Sequence, residues 1–147
     1  MTGSGTHRGM TYNRGRIEDP AAFAGEHGAA GWLFLCGEEF ASMEGGMSYE
    51  QVQAAVPESA NVVSDPPVVL DMELARTQIA ALEGLSRPSL VTCRTGPRSS
   101  ALVYLYAGLK DGTPADEVLR QAEDDDAPFA QSDELKGWVR QGLAELA

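Results

Sequence analysis

The chain has 147 residues, 43% of them hydrophobic and 22% charged, enough apolar material for one domain of ordinary size with a packed core. Eleven basic residues against 22 acidic ones leave a net charge of −11, which repels phosphate backbones and anionic bilayers, so neither nucleic acid nor membrane is expected as a partner. No run of 18 apolar residues occurs, which excludes a spanning helix.

Residues 1–29 carry three acids and three bases, many glycines and no sustained periodicity. Residues 1–30 therefore read as a mobile leader, and 31–147 as a single α/β domain. The leader holds arginines but no apolar stretch, so a secretory signal is not expected. Its acid-poor, Gly- and Thr-rich start makes organellar transit the alternative to a cytoplasmic location. His7 and His27 fall in this segment and read as exposed tail residues. With only Cys36 and Cys93, and no zinc-type spacing, the chain belongs in a reducing compartment, and neither metal nor other cofactor is expected.

Trp32 to Cys36 is a short apolar run between Gly31 and Gly37, the signature of a buried strand. Ser48 precedes Gln51 at capping-box spacing, and Tyr49, Val52 and Val56 share one helical face up to Pro57. Asn61 to Val63 reads as a second strand, running into the stiff loop Ser64-Asp65-Pro66-Pro67. Asp71 caps a helix with Met72, Ala75, Ile79 and Leu82 at helical spacing, ended by Arg87-Pro88. Leu90 to Thr92 is a third strand, and Ala101 to Leu109 a helix buried on most sides. Thr113-Pro114 and Ser132 cap two closing amphipathic helices, and Tyr104, Tyr106 and Trp138 fall on apolar faces as core residues. The C-terminal part, with ten acids against three bases over 111–147, reads as solvated helix faces.

Between the third strand and the buried helix lies Cys93-Arg94-Thr95-Gly96-Pro97-Arg98-Ser99-Ser100. A turn at a helix N-terminus exposes backbone N–H groups without intrahelical partners, and these, with the helix dipole, bind a tetrahedral anion. Gly96 lets the backbone curl. The same positive field favours Cys93 as a thiolate nucleophile. Arg98 can clamp two oxygens of the anion with its planar fork, and Ser99 can hydrogen-bond the sulfur or assist its departure. The expected ligand is a small phosphorylated compound or other tetrahedral anion, held by Arg94, Thr95, Gly96, Pro97, Arg98 and Ser99.

This loop resembles the Cys-Arg-[Ser/Thr]-Gly-x-Arg-Ser loop of the beta-lactamase-hydrolase-like phosphatase-like proteins, relatives of the dual-specificity and protein tyrosine phosphatases. The resemblance runs from about Ala60 to about Ala127. It implies a small, mostly parallel sheet flanked by helices, with the cysteine loop between a strand and a helix N-terminus. It also implies phosphomonoester hydrolysis through a cysteinyl-phosphate on Cys93. Such chemistry needs an acid for the leaving oxygen. Asp65, 28 residues before Cys93, stands roughly where the resemblance places that acid. Asp71 competes for the role, but helix capping already accounts for it.

Two features depart from the tyrosine phosphatase pattern. Thr92 stands where a histidine usually precedes the cysteine, and four residues rather than five separate Cys93 from Arg98. Four is also the rhodanese spacing, so a sulfurtransferase carrying a persulfide on Cys93 is the alternative. Two capped helices after the loop favour the phosphatase arrangement over the extra strand of a rhodanese. An idle anion-binding or regulatory module is the third class. Cys36, at a strand end, reads as core packing, with a resolving partner for oxidised Cys93 as the alternative.

Overall fold

In a computed structural model, residues 3–65 and 68–147 are described; Pro66 and Pro67 of the proline loop lie outside them. The strands are β1 (Gly3–His7), β2 (Met10–Arg14), β3 (Gly31–Phe34), β4 (Glu58–Asn61) and β5 (Ser89–Thr92). The helices are α1 (Pro20–Glu26), α2 (Glu38–Ala41), α3 (Tyr49–Ala55), α4 (Met72–Glu83), α5 (Pro97–Asp111), α6 (Ala115–Asp124) and α7 (Asp133–Glu145), with a 3₁₀ turn at Pro128–Gln131. The sheet order is β1-β2-β5-β3-β4, antiparallel only between β1 and β2. This is the small, mostly parallel sheet flanked by helices that the sequence implied.

Central strands buried on both faces must be apolar throughout, and β3 is: Trp32 and Phe34 enter one cluster, Leu33 and Leu35 the other. The first cluster packs the sheet on α1 and α3 through Phe23 and Val52. The second packs it on α4, α5, α6 and α7 through Ala75, Leu102, Val118 and Val139. Helix α5 lies within that layer, with Ser99 to Gly108 buried without a break.

The leader reading is corrected. Residues 3–14 form a hairpin, and β2 pairs parallel to β5 from Met10↔Ser89 to Tyr12↔Val91. Met10 and Tyr12 are each 1% exposed, and burying two such side chains contributes roughly 1.5–3 kcal/mol each. The turn is Arg8-Gly9 with both residues at positive φ, the geometry of a two-residue hairpin more often signalled by Asn-Gly. His7 is accordingly not a tail residue: its ring stacks on Tyr104 at 4.3 Å. His27, the C-cap of α1, packs edge-on against Phe23.

Two boundaries also move. The second sequence-predicted strand, at 61–63, forms earlier, at Glu58–Asn61. It is an edge strand with three half-buried residues and an exposed Asn61, so it carries no apolar run. Backbone pairing with the β3 end continues through Val62 N–H to Phe34 O and Ser64 N–H to Leu35 O, which leads the chain to Asp65. Helix α6 has Pro114 rather than Thr113 at its N-cap, without a side-chain cap. The caps at Ser48, Asp71 and Ser132 form as expected, Ser48 with the complete capping box.

Candidate active site

The cysteine loop sits at the C-terminal edge of β5, where a parallel sheet collects its binding sites. Gly96 is the N-cap of α5 with φ +118°, and Pro97 opens the helix. Proline has no N–H to orphan, so the first free helix donors belong to Arg98 and Ser99. The Ser99 N–H points at Cys93 Sγ at 3.3 Å and the Gly96 N–H at 3.1 Å. Two backbone donors at the start of α5 therefore converge on one sulfur.

Arg98 lines the same cleft as Cys93, and its Nε is buried with no hydrogen-bond partner. A buried guanidinium N–H left unpaired is costly. Its position beside the sulfur and the loop suits an anionic oxygen. The cleft, about 420 Å³, is bounded by Asp65, Arg94, Thr95 and Pro97 on one side and by Ser132, Glu134 and Leu135 of the α7 start on the other. Of the sequence-predicted site residues, the cleft thus brings together Asp65, Cys93, Arg94, Thr95, Pro97 and Arg98. Gly96 and Ser99 lie buried beneath it.

Arg94 is paired within the protein. Its Nη2 is 3.1 Å from Asp65 Oδ2, and its Nε donates to the same oxygen at 3.2 Å. The Gly37 N–H donates to Asp65 Oδ1 at 2.9 Å. Asp65, only 5% exposed, is thus tied to the β3–α2 connection and to the cysteine loop at once. Asp71 accepts from Leu74 N–H at 2.8 Å as the α4 cap.

Three residues alter the sequence picture. Thr92, in the histidine's place, is wholly buried and accepts a hydrogen bond from Trp32 Nε1 at 2.8 Å. Cys36 lies in the cluster with Trp32, Phe34 and Leu90, whereas Cys93 lies with Leu33, Leu35 and Val91 on the other face. Cys36 is buried in the core, as expected, and its thiol stands close enough to Cys93 and Asp65 to feel their charge. Burial first, then the neighbouring charges of Cys93 and Asp65, pushes its thiol far above the ordinary range. The third residue, Asn13 of β2, was missed because it falls in the segment read as leader. Wholly buried, it donates from Nδ2 to Cys93 O and to Gly15 O, both at 2.9 Å. Its Oδ1 accepts from Cys93 N–H at 3.2 Å and from Ser99 Oγ at 2.9 Å.

This architecture recurs in solved phosphatases. Tk-PTP in its active form superimposes with a TM-score of 0.72 at 14% identity, over 96% of this chain and 95% of that one. The chain has the protein tyrosine phosphatase-like fold. The core catalytic domain of the PP-IP phosphatase SIW14 from S. cerevisiae, solved with citrate, gives 0.66 at 14% identity over 97% and 84%. PTPMT1 in complex with PI(5)P gives 0.57 at 13% identity over 94% of both chains. No family model matches this chain, and no curated protein sequence does. No helix among the described residues is long and apolar enough to cross a membrane.

Proposed function

We propose that the chain is a cysteine-dependent phosphatase that hydrolyses a small phosphomonoester through a cysteinyl-phosphate on Cys93. The observation that carries this reading is the convergence of the Gly96 and Ser99 N–H groups on Cys93 Sγ, with the unpartnered Arg98 Nε in the same cleft. The likeness of fold to known phosphatases supports it.

In the first step the Cys93 thiolate forms the S–P bond while the ester P–O bond breaks, and the leaving oxygen takes a proton from Asp65. In the second, water forms a P–O bond, the S–P bond breaks, and a proton returns to Asp65. Arg98 and the loop N–H groups hold the three equatorial oxygens, whose charge they stabilise throughout. The Ser99 hydroxyl, 3.5 Å from Sγ, donates to the sulfur as it leaves.

Charge narrows the substrate. SIW14 is a PP-IP phosphatase and PTPMT1 was solved with PI(5)P. Here one of the two cleft arginines is committed to Asp65, and Glu134 adds a carboxylate at the rim. Such a cleft neutralises one phosphate, so the substrate carries a single phosphate on a weakly charged body.

The deciding experiment assays the chain with an aryl phosphate and, in parallel, with thiosulfate plus cyanide, each repeated with Cys93→Ser. Phosphate release that the substitution abolishes is the expected result. Thiocyanate formation would instead make the chain a sulfurtransferase, and silence in both with anion still bound would make it an anion-binding module.

A further inference from the structure

We propose that Asn13 is the positioning residue of the nucleophile. It braces the Cys93 peptide from both sides and holds the Ser99 hydroxyl, so that the loop donors stay aimed at Sγ. The inference rests on the reading of Cys93 as the reactive group.

A primary amide has two donor hydrogens and one acceptor oxygen with two lone pairs. Asn13 uses all four. One side of the amide holds the carbonyls of Cys93 and Gly15; the other accepts from the Cys93 N–H and the Ser99 hydroxyl. Both backbone polar groups of Cys93 therefore end on one side chain, which fixes where Cα, and so Sγ, stands. The strand end reinforces the hold, because the Gly15 N–H donates to Thr95 O at 2.8 Å.

A histidine before the cysteine is absent, and the threonine in its place is committed to Trp32. Support for Cys93 comes instead from across the sheet, through the β2–β5 pairing. Ser99 adds a coupling. Its hydroxyl has two acceptors in reach, Asn13 Oδ1 at 2.9 Å and Gly96 O at 3.1 Å, while its oxygen accepts from Cys93 Sγ at 3.5 Å. In the resting loop the shortest contact is to Asn13, so the amide parks the proton near the sulfur without giving it up. When charge returns to Sγ, the hydroxyl needs only to rotate.

The test uses alkylation of Cys93 in the native full chain by iodoacetamide, followed by peptide mass spectrometry that separates Cys93 from Cys36. Rates are taken between about pH 5 and 9, where thiolate reactivity is read. Asn13→Ser, Asn13→Asp and Ser99→Ala are compared with the parent chain, with circular dichroism to establish folding. In Asn13→Ser the midpoint of the alkylation profile is expected to rise by about one pH unit, with about tenfold slower labelling on the acidic side, the effect of one ordinary hydrogen bond. In Asn13→Asp the rise is larger, because a buried carboxylate faces the loop carbonyls and the sulfur. The Asn13→Ser effect shrinks in the Ser99→Ala background, since the two share a hydrogen bond. A residue that only stabilised the fold would lower the melting temperature and leave the midpoint in place. That outcome in Asn13→Ser overturns the proposal even if Asn13→Asp fails to fold. Alkylation needs no phosphate turnover. A chain silent with aryl phosphates but with Asn13-dependent labelling would overturn the phosphatase reading and keep this one.

Discussion

Gly96→Ala tests the loop geometry most directly. Gly96 has φ +118°, and a Cβ there would stand 2.2 Å from the Asn13 carbonyl oxygen and 3.2 Å from Pro128 Cγ. The backbone term alone is about 1–3 kcal/mol for an L-residue held at that φ. The carbonyl cannot swing aside as a long side chain would, because β2 is fixed in the sheet, so the loop must retreat by roughly 1 Å to restore ordinary contact. Together these give a loss of about 2–4 kcal/mol, or a melting temperature lower by roughly 6–16 °C for a chain of this size. A shift of about 1 Å in the reacting groups also lowers kcat/KM by about 100-fold. Gly112→Ala is the control: its φ is +67°, but nothing lies within 4 Å of the added Cβ, so only about 1 kcal/mol is lost and turnover is kept. Thermal denaturation and aryl phosphate turnover of the two variants decide the matter. Equal stability losses with full activity in Gly96→Ala would refute the close approach of β2 to the loop.

Arg98→Lys should weaken phosphate or sulfate binding by about tenfold or more, because an ammonium cannot make the bidentate contact; unchanged affinity in titration calorimetry removes the clamp. Asp65→Asn should slow alkyl phosphates by about 100-fold while sparing aryl phosphates with good leaving groups, and should remove the basic limb of the pH–rate profile. Equal losses for both substrates would make the Arg94–Asp65 pair purely structural. His7 is held below its ordinary value of 6.5, by burial first and then by Arg8, against the pull of Asp125 and Asp111. The unfolded chain therefore takes up a proton that the fold resists, so stability should decline as the pH falls through about 6.5. His7→Phe keeps the ring on Tyr104 and should flatten that decline in melting curves between about pH 7.5 and 5.5; an unchanged slope would assign the acid sensitivity to other groups.

What was legible in the sequence follows from where the burial pattern is one-sided. The central strands announced themselves as apolar runs, and Ser48, Asp71 and Ser132 announced helix starts because each cap is a local bond spanning three residues. The edges did not. Strand β4 borders solvent, so Glu58 and Ser59 are acceptable there and periodicity gave no sign of it. The hairpin β1–β2 is glycine-rich and turns on Arg8-Gly9, and its apolar contribution, Met10 and Tyr12, is two residues long in spacing. Such a segment is stable only when β5 already stands beside it, and no local pattern records a parallel neighbour about 80 residues away.

The site divides along the same line. Cys93, Gly96, Arg98 and Ser99 are contiguous, and their chemistry is written in one turn of chain. Asn13 contributes no chemistry of its own and acts at a sequence separation of 80 residues from Cys93. A polar residue in a short, glycine-flanked stretch carries the signature of a loop. The Arg94–Asp65 contact is likewise long-range: the second arginine of the loop donates to a buried carboxyl group 29 residues earlier in the chain. The consequence is a site with one uncommitted guanidinium in an acidic chain. On the proposed reading its anion affinity comes mainly from backbone N–H groups, whose direction depends on how firmly the loop is held. A loop four residues long, without a preceding histidine, has little internal means of holding itself. The N-terminal hairpin supplies that means, which is why the segment that looked most dispensable in the sequence is bonded to the cysteine.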